Sequence, residues 1–373
     1  MTGAFDVVII GAGIAGCACA REFAEAGVQV AIIERDAPAS GATGAGMGHI
    51  VAMDDSPAQL ALTHYARSLW QKLTAELPSA VEYEERGTLW IAADEEEMAQ
   101  VYAKRSAYAR AQIRTELLDT AALAEAEPHL RPGLAGALLV PDDAVLYAPA
   151  AALYLLQAAQ RSGARLIHGT VTSANAGAVT LSDGTTLASD HIVIATGVDM
   201  DIIPWVRLKK RKGHLVITDR YPGFVRHQLV ELGYLKSAHS TVADSVAFNI
   251  QPRMTGQLLI GSSRQYGQED TAADASVVAA MLHRAYEYMP QLASLSALRV
   301  WTGFRAATSD KLPLIGPTHD PTLYLMAGFE GLGITVAPAA ARLLADHLLA
   351  RKTAIDPAPY LPERMARTEA ILA

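Results

Sequence analysis

The stretch FDVVIIGAGIAGCACAREFAEAGVQVAIIERD, residues 5–36, decides how this chain is read. Its first six residues form a nearly continuous apolar run, the pattern of a strand covered on both faces in a parallel sheet. A glycine turn follows, then a helical pattern over about 14–26 and a second apolar strand over 29–34. This is one βαβ unit. Its turn, GAGIAG at 11–16, matches G-x-G-x-x-G in the context that gives the pattern meaning: a strand before, a helix after, and Glu34 closing the next strand. Gly11 permits the tight turn. Gly13 lets a pyrophosphate approach the backbone around Ile14 and Ala15, and Gly16 lets the helix sit close to the strand. The helix N-terminus offers N–H groups and a positive dipole to phosphate. Glu34 can accept two ribose hydroxyls, with Arg35 beside it as a further cofactor-binding candidate. The alternative is a tight strand–helix turn with no ligand.

Outward from this unit, a small-residue loop covers 39–55 and a helix is expected over 56–77, with Ser56 as N-cap and Pro57 at its first position. Residues 81–93 read as a strand pair, 95–112 as an amphipathic helix, 135–147 as strand and 148–171 as a helix followed by a strand. Residues 179–197 read as a hairpin turning at Asp183-Gly184, then a buried strand over 191–195. Strand-like runs and one helix near 271–288 fill 214–304, and a strand at 323–328 leads through glycines into a helix at 334–350. No repeat or Pro/Ser linker separates these units. The pattern implies two domains interleaved along the chain.

Bulk properties exclude several classes. The 373 residues carry a net charge of −8, from 31 basic and 39 acidic side chains, which argues against nucleic-acid binding. One basic run, LKKRKGH at 208–214, reads either as a solvated loop or as a docking patch. The two cysteines, Cys17 and Cys19, form neither a disulfide framework nor a metal set, and read as small packing residues. No metal site is expected. The longest uncharged run, 7–20, is too short to span a membrane, and no charged segment precedes it as in a secretory leader, so the expected compartment is the cytoplasm. P-loop, zinc-hydrolase, thiol-redox and serine-hydrolase motifs are absent.

Three further features favour FAD over a nicotinamide cofactor. TGAGMG at 43–48 is a second glycine loop, bringing Thr43, Gly46 and Met47 near the first. IVIATG at 192–197 ends a buried strand at Thr196-Gly197. GFEGLGITVAP at 328–338 is a third glycine turn opening a helix, with Gly331, Leu332, Gly333, Ile334 and Thr335 at its start. Such a helix N-terminus can stabilise the negative charge of a reduced flavin. Together the four stretches resemble the D-amino-acid oxidase superfamily of FAD proteins, in its glycine oxidase, sarcosine oxidase and D-amino-acid (hydroxyproline) dehydrogenase branch. The resemblance implies an α/β (α+β mixed) fold: a Rossmann-like FAD-binding domain and an interleaved substrate domain on a large mixed or antiparallel sheet. The expected segments are 1–80, 149–213 and 303–373 for FAD, and 81–148 and 214–302 for substrate. It implies that Val171 meets the adenine through its backbone. It also implies that FAD is held non-covalently, because no late cysteine exists to attach it.

In this family an arginine in a G-[LF]-R strand motif clamps the substrate carboxylate, and GFR at 303–305 matches it. The resemblance therefore places Arg305 over the flavin. A planar fork of donors suits a carboxylate; the alternative is a structural arginine paired with an acid such as Asp310. His49, in GMGHI, either tunes the flavin or touches substrate, or is a packed loop histidine. Tyr234 and His239 are pocket candidates against a reading as ordinary sheet residues. The implied reaction oxidises the C–N bond of a small amino or imino acid, with electrons passing to oxygen, an external acceptor or partner subunits. The competing readings are an FAD-carrying electron-transfer subunit whose substrate site is in a partner chain, and a simple nicotinamide-linked dehydrogenase.

Overall fold

The apolar run at the start of the chain becomes an interior strand because it has a parallel neighbour on each edge. The computed structural model describes residues 5–233 and 244–365; Tyr234 and His239 lie outside them. In chain order come β1 (Phe5–Ile10), α1 (Ile14–Glu25), β2 (Val30–Glu34), α2 (Ala42–Ala45), β3 (His49–Ile50) and α3 (Pro57–Leu73). Next are β4 (Thr88–Ala92), α4 (Glu95–Arg110), β5 (Glu116–Asp119), α5 (Thr120–Ala126), β6 (Gly136–Val140), β7 (Ala144–Val145) and α6 (Ala148–Arg161). β8 (Arg165–His168), β9 (Val171–Asn175), β10 (Ala178–Leu181), β11 (Thr186–Ile194), β12 (Lys209–Thr218) and β13 (Gln228–Glu231) follow. The chain closes with β14 (Ser245–Pro252), β15 (Leu258–Tyr266), α7 (Ala275–Tyr288), β16 (Ala297–Ala307), β17 (Leu314–Pro317), β18 (Leu323–Ala327) and α8 (Gly333–Leu348).

The strands form two large sheets. The first runs β17-β18-β11-β1-β2-β8, with β9 and β10 attached beyond β11. Its core strands β8, β2, β1, β11 and β18 are mutually parallel. The helices α1, α6 and α8 cover one face through alanine, cysteine and glycine contacts, which let helix axes approach closely. Cys17 and Cys19 are fully buried in that layer, and burial pushes the Cys17 thiol up to about 12. The second sheet runs β16-β12-β15-β14-β13-β4-β6-β5 and is antiparallel except for the parallel pair β13·β4. β12 and β16 both lie wholly in it, so the segment limits expected at 213/214 and 302/303 fall inside strands.

Two local readings are corrected. Only residues 88–92 of the expected 81–93 pair are a strand; 79–81 form a single 3-10 turn, and Glu84 makes one isolated bridge to Val145. Glu82 and Gly87 both take positive φ, which breaks the pleat. The basic run at 208–214 is not a solvated loop. It enters β12, where Arg211, Lys212 and His214 are buried. Each cation has a partner, Glu330 for Arg211 and Asp270 for Lys212, so their burial is electrostatically compensated.

The turn after β1 tolerates no side chain at its third glycine. A Cβ at Gly16 would stand 1.9 Å from the Gly11 carbonyl oxygen, and one at Gly11 would stand 2.5 Å from the Ala195 oxygen. Gly11 also holds φ at +105°. Gly16→Ala must therefore push α1 off β1 and should lower unfolding free energy by about 1–3 kcal/mol, read from urea denaturation. An unchanged midpoint would contradict this packing.

Candidate active site

The dinucleotide turn converges with the second glycine loop. The Ala12 N–H donates to Glu34 Oε2 at 2.7 Å, and the Ile14 N–H donates to Thr43 Oγ1 at 3.0 Å. Glu34 Oε1 accepts the Asp36 N–H at 3.0 Å, so the carboxylate is fixed at the end of β2. Arg35 points away from it to an ion pair with Asp199 at 2.5 Å. The Gly169 N–H donates to the Glu34 carbonyl at 2.9 Å, which brings Val171, two residues on, to the same end of the sheet. Thr196 and Gly197 follow the neighbouring strand β11, and the Cα of Thr196 lies 3.4 Å from a Cβ built on Gly11.

These residues enclose a trough with open floor positions. A Cβ on Gly13 would meet only Thr43 Oγ1, at 3.4 Å, and a Cβ on Gly197 would meet nothing within 4 Å. Along the turn Ala12, Ile14 and Gly16 are buried, whereas Gly11, Gly13 and Ala15 keep accessible surface on the trough side. The N-cap position, Gly13, has no side-chain cap. Backbone N–H groups at a bare helix N-terminus suit a pyrophosphate, and Glu34 at the strand end suits a ribose. The residues present fit the adenine-dinucleotide half of FAD.

The second glycine loop, at 45–49, is tied to several distant parts of the chain. Four successive parts of the molecule donate to its carbonyl oxygens. Trp301 Nε1 donates to Ala45 at 3.2 Å, Gln251 Nε2 to Met47 at 2.7 Å, the Leu146 N–H to Gly48 at 2.8 Å and Thr335 Oγ1 to His49 at 2.7 Å. Thr335 thus uses its hydroxyl to tie α8 to this loop, and Ile334 approaches Gly46. Met47 reaches the second sheet, its Sδ 3.5 Å from a Cβ built on Gly261. Trp301 lies in β16 and Gln251 in β14; the face each presents depends on pairing register, which the sequence does not display.

Arg305 lies flat across the second sheet. It passes over Gly213, where a Cβ would stand 2.5 Å from Nη1, and Nη1 donates to the Ser263 carbonyl at 3.0 Å. Ser263 is itself held, its Oγ 2.9 Å from both the backbone nitrogen and Nδ1 of His214, whose Nε2 accepts the Asp274 N–H at 3.0 Å. The third glycine turn faces the guanidinium, with Nε 3.7 Å from a Cβ built on Gly331. Asp310, the acid weighed as its structural partner, is instead gripped by Arg364 at 2.6 and 3.2 Å. Leu332 and Gly333 complete the turn, with Gly333 packed on Phe329.

His49 stands between the loop and β4, its Nε2 3.4 Å from Thr88 Oγ1. The residue is half-buried, and desolvation lowers its pKa to about 3, which keeps the imidazole neutral at working pH.

A family model described as "FAD dependent oxidoreductase" (DAO) matches residues 6–347. The chain belongs to the DAO family of FAD-dependent oxidoreductases. This DAO protein is 30% identical over 375 residues to glycine oxidase of Geobacillus kaustophilus (strain HTA426), covering 96% of this chain and 97% of that one. The crystal structure of glycine oxidase from Geobacillus kaustophilus matches it with a TM-score of 0.84 at 28% identity, over 96% and 98% of the two chains. L-proline dehydrogenase from P. horikoshii shares the fold, with a TM-score of 0.89 at 23% identity over 99% of each chain. Hydrogen cyanide synthase subunit HcnC of Pseudomonas aeruginosa (strain PAO1) is 24% identical over 436 aligned positions. The cofactor of this DAO enzyme is FAD. No described helix is long and apolar enough to cross a membrane.

The trough and the packing at the turn are separable. Gly13→Val adds a side chain into open trough rather than into the fold. The purified variant should lose the visible flavin absorbance while its unfolding free energy stays within about 1 kcal/mol of the parent, the usual cost of a poorer N-cap. A variant that keeps its flavin would remove this trough as the binding site.

Proposed function

We propose that this enzyme oxidises the C–N bond of a small amino or imino acid, of the glycine, sarcosine, D-amino acid or D-proline/hydroxy-D-proline type. The observation that carries this reading is the placement of Arg305, laid over Gly213 and facing the glycine turn at 331. FAD, when bound, would supply the two-electron acceptor for the substrate's α-C–H bond, and the resulting imino acid would hydrolyse in water. On this reading the first sheet holds the cofactor and the second covers the substrate. Arg305 binds the carboxylate with two parallel N–H donors and sets the direction of the α-carbon. Its anchorage to Ser263 restricts guanidinium rotation before substrate arrives. The loop at 45–49 separates substrate from bulk water and holds His49 beside it. Catalysis then rests on orientation rather than on a titrating side chain, since burial keeps His49 uncharged.

The names of the relatives support the substrate class at the level of amino acids, and one relative is named as a subunit. The second reading is therefore an FAD-carrying subunit that passes electrons to a partner or to an external acceptor. We place the enzyme in the cytoplasm, where small amino acids and reduced thiols are at hand.

Anaerobic addition of glycine, sarcosine, D-alanine, D-proline and cis-4-hydroxy-D-proline, with L-forms as controls, tests the first reading. One of them should bleach the flavin within seconds. Arg305→Ala should lower kcat/KM for that compound at least thirty-fold, matching the roughly 2–5 kcal/mol lost when one partner of a buried charge pair is removed. Arg305→Lys should recover only part of it, because a single ammonium cannot grip both oxygens. Equal bleaching rates in the parent and Arg305→Ala would sink the assignment. Readmitted air that fails to restore the oxidised spectrum would identify a dehydrogenase.

A further inference from the structure

The second sheet is irregular at the place where Arg305 crosses it. β12 and β15 pair Lys212 with Gln265 and Val216 with Ile260, so three residues of β12 (213–215) face four of β15 (261–264). An extra residue disrupts the ladder as a β-bulge does, and backbone groups beside it need other partners. The His214 N–H donates to the Ser263 hydroxyl at 2.9 Å. The Ser263 carbonyl accepts Arg305 Nη1 at 3.0 Å.

These two bonds join opposite faces of the sheet. Trp301 and Gly303 meet Ala45 of the loop at 45–49, and Arg305 crosses Gly213 on that same face. Thr302 points the other way, its hydroxyl donating to the Thr271 carbonyl at 2.7 Å. His214 is paired with Thr302 and shares this rear face. The chain entering α7 packs there. Asp270 takes Lys212 Nζ at 3.0 Å, and the Asp274 N–H donates to His214 Nε2 at 3.0 Å. Asp274 is fixed in turn as the N-cap of α7, its Oδ1 accepting the Ser276 N–H at 2.9 Å.

The partners of the ring determine where its proton sits. His214 is fully buried. A backbone N–H can only donate, so Nε2 must offer its lone pair to Asp274. The neutral ring then carries its hydrogen on Nδ1, which lies 2.9 Å from Ser263 Oγ. Ser263 Oγ thus receives two donors from one residue, which hold its side chain in place. A second proton, on Nε2, would stand head-on to the Asp274 N–H. Burial, and next the Lys212 cation, lower the pKa of His214 and keep the ring neutral.

We propose that His214 is a positioning residue for the substrate carboxylate: with Nε2 tied to the chain before α7 and Nδ1–H tied to Ser263, it fixes the carbonyl that aims the Arg305 guanidinium. This rests on the reading of Arg305 as the carboxylate clamp. His214 acts from the opposite face of the sheet, through Ser263. Affinity for a carboxylate therefore depends on a hydrogen bond made on the face turned away from it.

The test measures acetate, which stands in for the substrate carboxylate, by its perturbation of the visible flavin spectrum of the FAD-loaded full chain. The parent should bind it and Arg305→Ala should not. Ser263→Ala and His214→Gln should each bind it about tenfold more weakly, the size of one net hydrogen bond. Gln keeps an acceptor for the Asp274 N–H but has no donor at the Nδ1 position. His214→Asn places an amide N–H at that position and should recover most of the loss, although it gives up the Asp274 contact. The double variant Ser263→Ala/His214→Gln should bind no more weakly than either single variant, because both break one path. In 15N spectra of the parent, the ring signals that vanish in His214→Asn should show a protonated Nδ1 and an unprotonated Nε2. A ring protonated at Nε2, parent affinity in Ser263→Ala and His214→Gln, or equal weakening in His214→Asn and His214→Gln overturns the proposal. Each of these outcomes leaves the reading of Arg305 standing. A parent that does not bind acetate, or an Arg305→Ala variant that binds it equally well, removes that reading and the proposal with it.

Discussion

An irregular loop buried between two sheets must find donors for its own carbonyl oxygens, and the loop at 45–49 finds them in four different places. Trp301 and Gln251 reach it from the second sheet, Leu146 from the chain after β7, and Thr335 from α8. An unpaired buried carbonyl costs as much as a lost hydrogen bond, so each donor has a definite place. The two sheets are thereby held in one relation to each other, and the cleft between them acquires its shape from the satisfaction of this one loop. Steric limits act in the same direction. A Cβ on Gly48 would collide with the Leu146 oxygen at 1.8 Å, and one on Gly303 with Ala45 at 2.4 Å.

Charge is handled on the same terms. The second sheet buries Arg211 and Lys212, and acids from elsewhere in the chain meet them. Glu330, next to the third glycine turn, pairs with Arg211, and Asp270 pairs with Lys212. Arg67 and Asp143 form a comparable pair under β4, where burial raises the Asp143 pKa to about 6 and Arg67 opposes the rise. Such pairs add little net stability, because desolvation offsets their attraction. Their effect is positional, since a buried cation cannot leave its acid without a large penalty.

The candidate dinucleotide turn was legible because its pattern is local. The strand, the three glycines at 11, 13 and 16, and Glu34 all fall within one βαβ unit, and helix capping at Ser56 followed the expected pattern, with Oγ accepting the Gln59 N–H at 3.1 Å. On the side of the proposed substrate, a single arginine was legible. The reading of 208–214 as a loop failed because Arg211 and Lys212 are compensated by residues 119 and 58 positions away. The reading of 81–93 as a strand pair failed because Glu82 and Gly87 adopt positive φ, which no alternation pattern reveals.

Sequence alone pointed to a dinucleotide cofactor, because the strand, the glycine turn and the helix that carry the pattern are contiguous in the chain. It also determined which arginine stands among apolar neighbours. Tertiary structure decided everything that depends on register. It put Gly213 beneath Arg305, Gly331 beside it, and Thr88 against His49. Side chains on a strand alternate faces every residue, so a one-residue slip would turn each of these groups to the opposite side. That register is set by pairing partners distant in the chain, as Arg211 with Arg305 and Thr88 with Gln228, and no local pattern carries it.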